Sequence, residues 1–204
     1  MNTIPLFPLA TTLFPAGVLT LRIFEVRYLD MIKKCIADGS QFGVVTLLSG
    51  SEVRSPEGNE QLATIGTMAR IEEWSAPMPA LLHVRCTGTS RFHLASAEQG
   101  KYGLWSGVAV PIDDDPEVPI PPKLQSPANA LGALIASLQK DGVPADQMPL
   151  AAPFRLDESA WVANRWSELL PLPVEEKLRL LMLQDPILRL QAIRQLLDDR
   201  DLLS

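Results

Sequence analysis

The lysines of this 204-residue chain are residues that could take part in catalysis. A serine–lysine peptidase needs a lysine within hydrogen-bond reach of the serine, with a pKa lowered by burial. Each lysine falls in a predicted loop or on the polar side of a predicted helix, so we expect all of them to be solvated. They are Lys33, Lys34, Lys101, Lys123, Lys140 and Lys177. The sequence therefore predicts neither a peptidase site nor any other enzyme site.

Histidine and aspartate are the residue types that could hold a metal ion. His83 and His93 flank a predicted hairpin turn near Gly88 and Thr89, which would allow them to be cross-strand neighbours. Zinc sites need more protein ligands than two imidazoles supply. The acidic run IDDDPE at 112–117 lacks the ligand spacing of a calcium loop and is interpreted as a solvated linker. We predict no metal site and no cofactor.

The cysteines and the uncharged start of the chain bear on where the protein works. Cys35 and Cys86 are far apart without CxxC spacing, and no positively charged segment precedes the apolar run over 1–21. We therefore expect reduced thiols in a cytoplasmic protein. Cys86 lies at an alternating apolar position, which predicts a small core residue. Prolines within the run and the alternation of VLTLRIF at 18–24 indicate strands instead of a membrane-spanning helix.

Composition divides the chain into two parts, which differ in the secondary-structure elements that would position a site. The first half is typical of short strands separated by turns, with one helix predicted between Phe24 and Gly39 from its apolar spacing. We count six or seven strands, which favours a mixed β barrel or sandwich. A polar loop is predicted over 49–61, and Gly66 is expected at a bulge or a point of close packing.

A composition change separates this half from the rest of the chain. Residues 113–127 are rich in proline and acidic residues, which predicts a linker. The remainder, 128–204, has the apolar spacing of three or four helices. The last helix is expected to begin with Asp185 as its N-cap and Pro186 at its first position.

Four motifs in order resemble the Lon protease N-terminal domain, the substrate-binding domain of that family. The first is IPLFPLATTLFPAGVLTLRIFEVRYLDMI at 4–32, and the second is the Gly-Thr-x-Ala strand in IGTMARIEE at 65–73. The others are VRCTGTSRFHL at 84–94 and the C-terminal LLPLPVEEKLRLLMLQDPILRLQAIRQLL at 169–197. Ala16 departs from the pattern, since the family's turn often has glycine there, and Gly17 is expected to supply the flexibility.

The resemblance implies a PUA-like β pseudo-barrel over 1–112, a Pro/Asp-rich linker over 113–127 and a helical bundle over 128–204. Within this family, the sequence resembles the stand-alone bacterial proteins that consist of this domain, because it contains no GxxxxGK[ST] phosphate loop. The implied function is non-catalytic binding of unfolded or exposed polypeptide segments, as an adaptor in protein quality control. A Lon-type protease is the candidate partner.

Large apolar side chains near predicted strand ends and loops are the candidate polypeptide-binding residues. They are Phe24, Tyr28, Trp74, Met78, Leu81 and Trp105. The most suggestive segment is EEWSAPMPALL at 72–82, interpreted as a Pro-rich loop whose adaptable side chains suit loose recognition. A groove between barrel and helices, or strand addition at an exposed sheet edge, would supply further contacts.

Other interpretations of the same residues remain open. Trp74 could plug the end of the barrel, and Met78 could pack beneath its loop. The alternative function is a PUA-like module that binds a small ligand or nucleic acid, and a third is a hydrolase with an unrecognised site. The net charge of −6 and the lack of a basic block beyond Lys33 and Lys34 disfavour nucleic acid.

Overall fold

A computed structural model describes residues 2–52 and 60–203. The polar loop predicted over 49–61 lies partly outside the described residues. The chain divides into two compact units, Met1–Asp113 and Asp114–Ser204. In the described part of the chain, no helix combines the length and the apolar character needed to span a bilayer.

The first unit is a sheet with one described α-helix. Its strands are β1 (Asn2–Leu9), β2 (Val18–Ile23), β3 (Phe42–Ser49), β4 (Gln61–Met78), β5 (Leu81–Gln99) and β6 (Trp105–Pro111). The helix, α1 (Val26–Asp38), ends at Gly39, whose φ of 63° suits glycine. These elements confirm the predicted β pseudo-barrel of six or seven strands with one helix.

Two long strands connect a closed ring of strands to an open sheet. The strand order is β2-β5-β4-β3-β1-β6, and a further pairing of β5 with β6 closes every strand except β2 into a ring. β3 pairs with β4 only as far as Ala69, and β6 pairs with β5 only from Phe92 onward. Residues 70–78 of β4 and 81–87 of β5 therefore extend past the ring. With β2 they form a three-stranded sheet that we call the extension.

Glycine allows the ring to close on an apolar interior. The interior side chains are Leu6, Val45, Phe92 and Ala109. Gly66 pairs with both Val45 and Phe92. A Cβ added to Gly66 would lie 2.5 Å from the Val44 carbonyl oxygen and 2.6 Å from Phe92 Cζ, so only glycine fits there. The prediction of close packing at Gly66 is confirmed.

A second apolar cluster joins α1 to the extension. It contains Tyr28, Ile32 and Cys35 of α1 together with Leu82 and Cys86 of β5. Cys86 is fully buried, as predicted for a core residue. Burial raises the pKa of the Cys86 thiol to about 12, and the nearby Glu72 carboxylate adds to this effect. The inner face of the extension is therefore covered by α1.

The prediction of a hairpin turn near Gly88 and Thr89 is wrong. β5 runs through both residues, and the β4–β5 turn lies at Pro79 and Ala80. Gly88 serves close packing, because an added Cβ would lie 2.3 Å from the Phe14 carbonyl oxygen. The actual turn has no glycine and neither of its residues has a positive φ, so it lacks the usual hairpin signal.

The second unit is helical, which confirms the predicted C-terminal helices. They are α2 (Gln125–Lys140), α3 (Ser159–Leu169), α4 (Val174–Met182) and α5 (Pro186–Asp198). As predicted, Asp185 caps α5: it accepts hydrogen bonds from the backbone N–H groups of Ile187 at 2.8 Å and Leu188 at 3.3 Å. Trp161 and Trp166 are both buried in this unit.

The interpretation of the acidic run at 112–117 as fully solvated is wrong at Asp115. Its side chain is nearly buried against Arg189, with a 2.7 Å contact between Asp115 Oδ2 and Arg189 Nη1. Arg189 also donates to Asn164 Oδ1 at 3.0 Å and to the carbonyl oxygens of Leu180 and Leu183. Because a buried guanidinium must be paired, Asp115 is recruited into the helical unit.

Candidate functional site

Three of the six predicted binding residues meet at the open end of the extension. Met78 pairs with Leu81 across the β4–β5 turn, and Phe24 directly follows Ile23, which pairs with Leu82. The register therefore places Phe24, Leu81 and Met78 in adjacent positions, and we call these three residues the apolar row. Phe24 is 60% exposed and Met78 is 59% exposed, whereas Leu81 is partly buried.

The apolar row faces away from the core. Ile23 and Leu82 are buried beneath the extension. Because side chains alternate between the two faces of a strand, Leu81 faces outward, and continuing the alternation of β2 by one residue places Phe24 on the same outer face. Segment 72–82, predicted as a loop, is instead the end of a β-hairpin, and β-strand geometry is what fixes the orientation of these side chains.

Trp74 does not belong to the apolar row. It pairs with Val84, whose side chain is buried on the inner face of the extension. Paired residues share a face of the sheet, so the register places Trp74 on the face opposite to Met78. Its side chain is nevertheless more than half exposed, so Trp74 does not plug the barrel.

Tyr28 and Trp105 lie elsewhere. Tyr28 is only 3% exposed, and its ring stacks on Phe7 with 4.1 Å between ring centroids. The Arg27 guanidinium carbon Cζ lies over the Tyr28 ring, 4.5 Å from the ring centroid. Trp105 is partly buried and packs against the ring interior. We therefore remove Tyr28 from the candidate surface as a core residue, and Trp105 contributes mainly to packing.

Sequence reasoning missed Val26 as an exposed apolar residue near the row. Val26 is the first residue of α1 and is 72% exposed. The signal that could have found it is the helical spacing of α1, because Val26 falls outside the buried stripe that includes Tyr28 and Ile32. Its position two residues after Phe24 enlarges the apolar surface at this end of the extension.

Polar residues occupy the next outward positions behind the apolar row. Arg22 pairs with His83, and His83 pairs with Ser75 on the other side. His83 Nε2 is buried and has no hydrogen-bond partner among the described residues. One row further, Arg85 Nη1 lies 4.0 Å from Glu73 Oε1. The outer face of the extension is thus apolar at its end and polar behind it, where it carries the charges of Arg22, Arg85 and Glu73.

The possible pairing of His83 with His93 is wrong. His83 pairs with Arg22 and Ser75 in the extension, whereas His93 pairs with Ile65 and Val110 in the ring. The two histidines belong to one continuous strand, since the hairpin that would have brought them together does not exist. Within residues 2–52 and 60–203, no group of three or more metal-ligating side chains is found.

The prediction that all lysines are fully solvated is wrong at Lys177. Its side chain is partly buried, and Nζ donates a hydrogen bond to the Glu168 carbonyl oxygen at 3.1 Å. Burial lowers the pKa of Lys177, and the charge of Glu168 opposes this shift. The Lys177 ammonium is therefore held by a main-chain carbonyl at the end of α3, in a structural role.

A cleft in the first unit could receive a small molecule. Its volume is about 600 Å³. The lining is apolar with several polar groups, and it consists of Thr3, Ile4, Pro5, Met31, Lys34, Cys35, Ser40, Gln41 and Leu104. Burial raises the pKa of the Cys35 thiol, although a hydrogen bond with Ser40 opposes this. The cleft thus offers apolar packing and one ammonium group.

Comparison with known proteins gives a family match over nearly the whole chain. The model described as the ATP-dependent protease La (LON) substrate-binding domain matches residues 3–199. No match was found among curated proteins.

Two solved structures have the same fold. A Lon N-terminal domain protein from Xanthomonas campestris is 31% identical, with a TM-score of 0.75 over 96% of this chain and 98% of that one. The N-terminal domain of the Mycobacterium avium complex Lon protease is 15% identical, with a TM-score of 0.61 over 97% of this chain and 99% of that one. At the lower identity, the likeness concerns the fold alone.

Proposed function

Because this chain belongs to the family of ATP-dependent protease La (LON) substrate-binding domains, we propose that it is a non-catalytic module that binds exposed segments of unfolded polypeptides. The observation that carries the proposal is the apolar row, where Phe24 and Met78 are largely exposed beside Leu81. Exposed apolar patches on soluble domains mark interaction sites.

The chemistry of the row suits ligands of varied sequence. Met78 has an unbranched, polarisable side chain that adapts to different partners. Phe24 offers a large apolar ring, and Val26 adds area beside it. Unfolded chains expose apolar side chains in no fixed order, so an adaptable apolar surface recognises them better than a shaped pocket would.

We further propose that the protein acts as an adaptor in protein quality control, with a Lon-type protease as its partner. It is supported by the family of the chain and by a surface suited to unfolded segments. We also propose a cytoplasmic location. Cys35 and Cys86 are both unpaired, which is typical of a compartment that keeps thiols reduced.

The first test is binding of the purified protein to reduced, carboxymethylated α-lactalbumin, a permanently unfolded polypeptide, without ATP and across a salt series. Apolar recognition predicts micromolar affinity that persists at high salt, because screening weakens only charge–charge attraction. Binding that disappears as salt increases would contradict the apolar mechanism, and no binding at any salt would contradict the function.

A matched pair of variants locates the binding surface. Phe24→Ser combined with Met78→Ser is expected to weaken binding about tenfold or more, since each substitution removes apolar contact. The control is Met182→Ser. The side chain of Met182 is 55% exposed, similar to the 59% of Met78, but Met182 lies in the helical unit. Equal loss of affinity in the control would show that exposed methionine in general, and not the apolar row, drives binding.

A second candidate function is binding of a small apolar ligand with an anionic group in the cleft of about 600 Å³. The observation in its favour is the position of Lys34 beside the apolar residues Ile4, Met31 and Leu104. Titration with oleate tests it: this function predicts saturable binding that Lys34→Gln weakens. Oleate binding that is unchanged in Lys34→Gln would exclude specific recognition by this cleft.

A further inference from the structure

β2 is a regular strand with one unpaired edge. It pairs with β5 without a break in register, from Val18 opposite Thr87 to Ile23 opposite Leu82. It is also the terminal strand of the sheet order, so within residues 2–52 and 60–203 it has a partner strand on one side only. β2 contains no proline and begins with the β-branched Val18 and the nearby Thr20, which favour extended structure.

The hydrogen-bond pattern shows which main-chain groups point to the free edge. The Gly88 N–H donates to the Gly17 carbonyl oxygen at 2.8 Å, which fixes the alternation at the start of β2. In an antiparallel pair, every second residue bonds to its partner strand and the residues between point away. Leu19, Leu21 and Ile23 therefore bond to β5.

The remaining residues of β2 present free donors and acceptors. Val18, Thr20 and Arg22 direct their N–H and C=O groups away from β5, and no partner for these groups occurs among residues 2–52 and 60–203. Thr20 and Arg22 are exposed. An edge of this kind is a template for one more strand, because its unpaired groups match those of an extended backbone.

The other free edge of the extension, residues 70–78 of β4, is protected against such pairing. Its register with β5 shifts between Ile71 and Glu73 and again between Ser75 and Met78. Pro77 removes a donor there. Irregular register, proline and charged side chains are the features by which proteins block edge-to-edge association. The β2 edge has no register shift and no proline.

We propose that a bound polypeptide segment adds to β2 as an extended strand, which rests on the polypeptide-binding function proposed above. Its main chain pairs with Val18, Thr20 and Arg22, and the strand leads directly to Phe24 and the apolar row. The ligand class is an extended segment with free N–H groups on alternate residues. Segments with an acidic side chain beside Arg22 bind more tightly, because Arg22 is exposed and forms no ion pair among the described residues.

The variant Thr20→Pro tests this proposal with the same unfolded α-lactalbumin probe. Proline removes the Thr20 N–H, which points to the free edge, and leaves the ladder with β5 intact, so it is compatible with an edge strand. We expect about a tenfold loss of affinity, because one main-chain hydrogen bond is lost and the pyrrolidine ring of the new proline obstructs the approach of the added strand. Thr20→Val keeps the N–H and a β-branched side chain, and its affinity should stay within about twofold of the wild type.

Amide hydrogen exchange of the wild-type protein, measured by NMR, gives an answer that does not depend on how the variant folds. Without polypeptide, the amides of Val18, Thr20 and Arg22 should exchange quickly, and with it they should become protected. Leu19, Leu21 and Ile23 should be protected in both states.

The results separate the two proposals. If the wild type does not bind the probe, both are overturned. If Thr20→Pro and Thr20→Val bind equally while Phe24→Ser with Met78→Ser does not, the apolar row acts alone and strand addition is wrong. Protection of residues 70–78 in place of the β2 amides also overturns it. So does protection of the β2 amides by protein concentration alone, which would mean that a second copy of the chain occupies the edge.

Discussion

The ring and the extension are built from the same two strands, β4 and β5, and they differ in what surrounds those strands. In the ring, both strands have neighbours on both sides, and the interior is filled so tightly that Gly66 has no room for a Cβ. In the extension, β4 and β2 each have one edge without a partner strand in the described part of the chain, and Phe24 and Met78 are exposed at its end.

Under the proposed function, this difference separates a scaffold from a binding surface. Close packing in the ring interior holds β4 and β5 in a defined register. The extension continues that register into solvent, where main-chain groups and apolar side chains are accessible. A binding surface made by extending core strands keeps the rigidity of the core while exposing groups that a core would bury.

The largest effect on stability is expected from Gly66→Ala in the ring. The new Cβ would lie 2.5 Å from a main-chain carbonyl oxygen, and the backbone must shift to relieve this clash. We expect a loss of about 3 kcal/mol in the free energy of unfolding, measured by urea denaturation. Gly100→Ala is the control, because its nearest contact would be an ordinary 3.5 Å, and it should cost little. Equal stability of the two variants would contradict tight packing in the ring.

A smaller effect, and one that depends on pH, is expected from Tyr28→Phe beneath the extension. Burial raises the pKa of Tyr28 from 10.0 to about 12, with Arg27 opposing the shift. The unfolded state loses the phenol proton before the folded state does, so the contribution of Tyr28 to stability is intact below pH 10 and falls as pH rises toward 12.

The size of this pH effect follows from the size of the Tyr28 pKa shift. The wild type should lose of order 2 kcal/mol over that interval, beyond what Tyr28→Phe loses. Cys86 contributes a loss of the same sign in both proteins, because its thiol pKa is also raised, to about 12. Urea denaturation at several alkaline pH values measures the difference. Parallel curves for the two proteins would mean that the Tyr28 hydroxyl is not buried as described.

The smallest effect is a gain in stability from Ala16→Gly where the ring meets the extension. Ala16 has a φ of 60°, and its N–H donates to the Gly88 carbonyl oxygen at 2.8 Å. Ala16 itself therefore adopts the left-handed conformation that Gly17 was expected to provide. Glycine relieves this strain, and we expect stabilisation by about 0.5–1 kcal/mol, with unchanged polypeptide binding. Destabilisation in urea would show that the Ala16 methyl group makes packing contacts that outweigh the strain.

The fold could be predicted because its signals are local. The alternation of VLTLRIF and the apolar spacing after Phe24 identify β2 and α1 from a few residues each. The order of four motifs then indicated one family. Asp185 and Pro186 marked the start of α5 in the same way, since a helix cap depends only on neighbouring residues.

The candidate site could be predicted only in part because it depends on pairing between distant strands. Gly88 resembles a turn residue, yet its requirement for glycine comes from the Phe14 carbonyl oxygen, a contact that no local pattern indicates. Placing the turn there concealed that Leu81 and Met78 pair with each other. Tyr28 is a different case, because the helical stripe that identified α1 already placed it among buried residues.

The central claim is that unfolded polypeptide contacts the apolar row, and site-specific photo-crosslinking tests it most directly. A photoreactive benzophenone amino acid is introduced at Met78 in one protein and at Met182 in another, since both side chains are similarly exposed. Each protein is then irradiated with the unfolded α-lactalbumin probe. We predict efficient crosslinking from position 78 and little from position 182, whereas equal yields, or crosslinking from position 182 alone, would contradict the account.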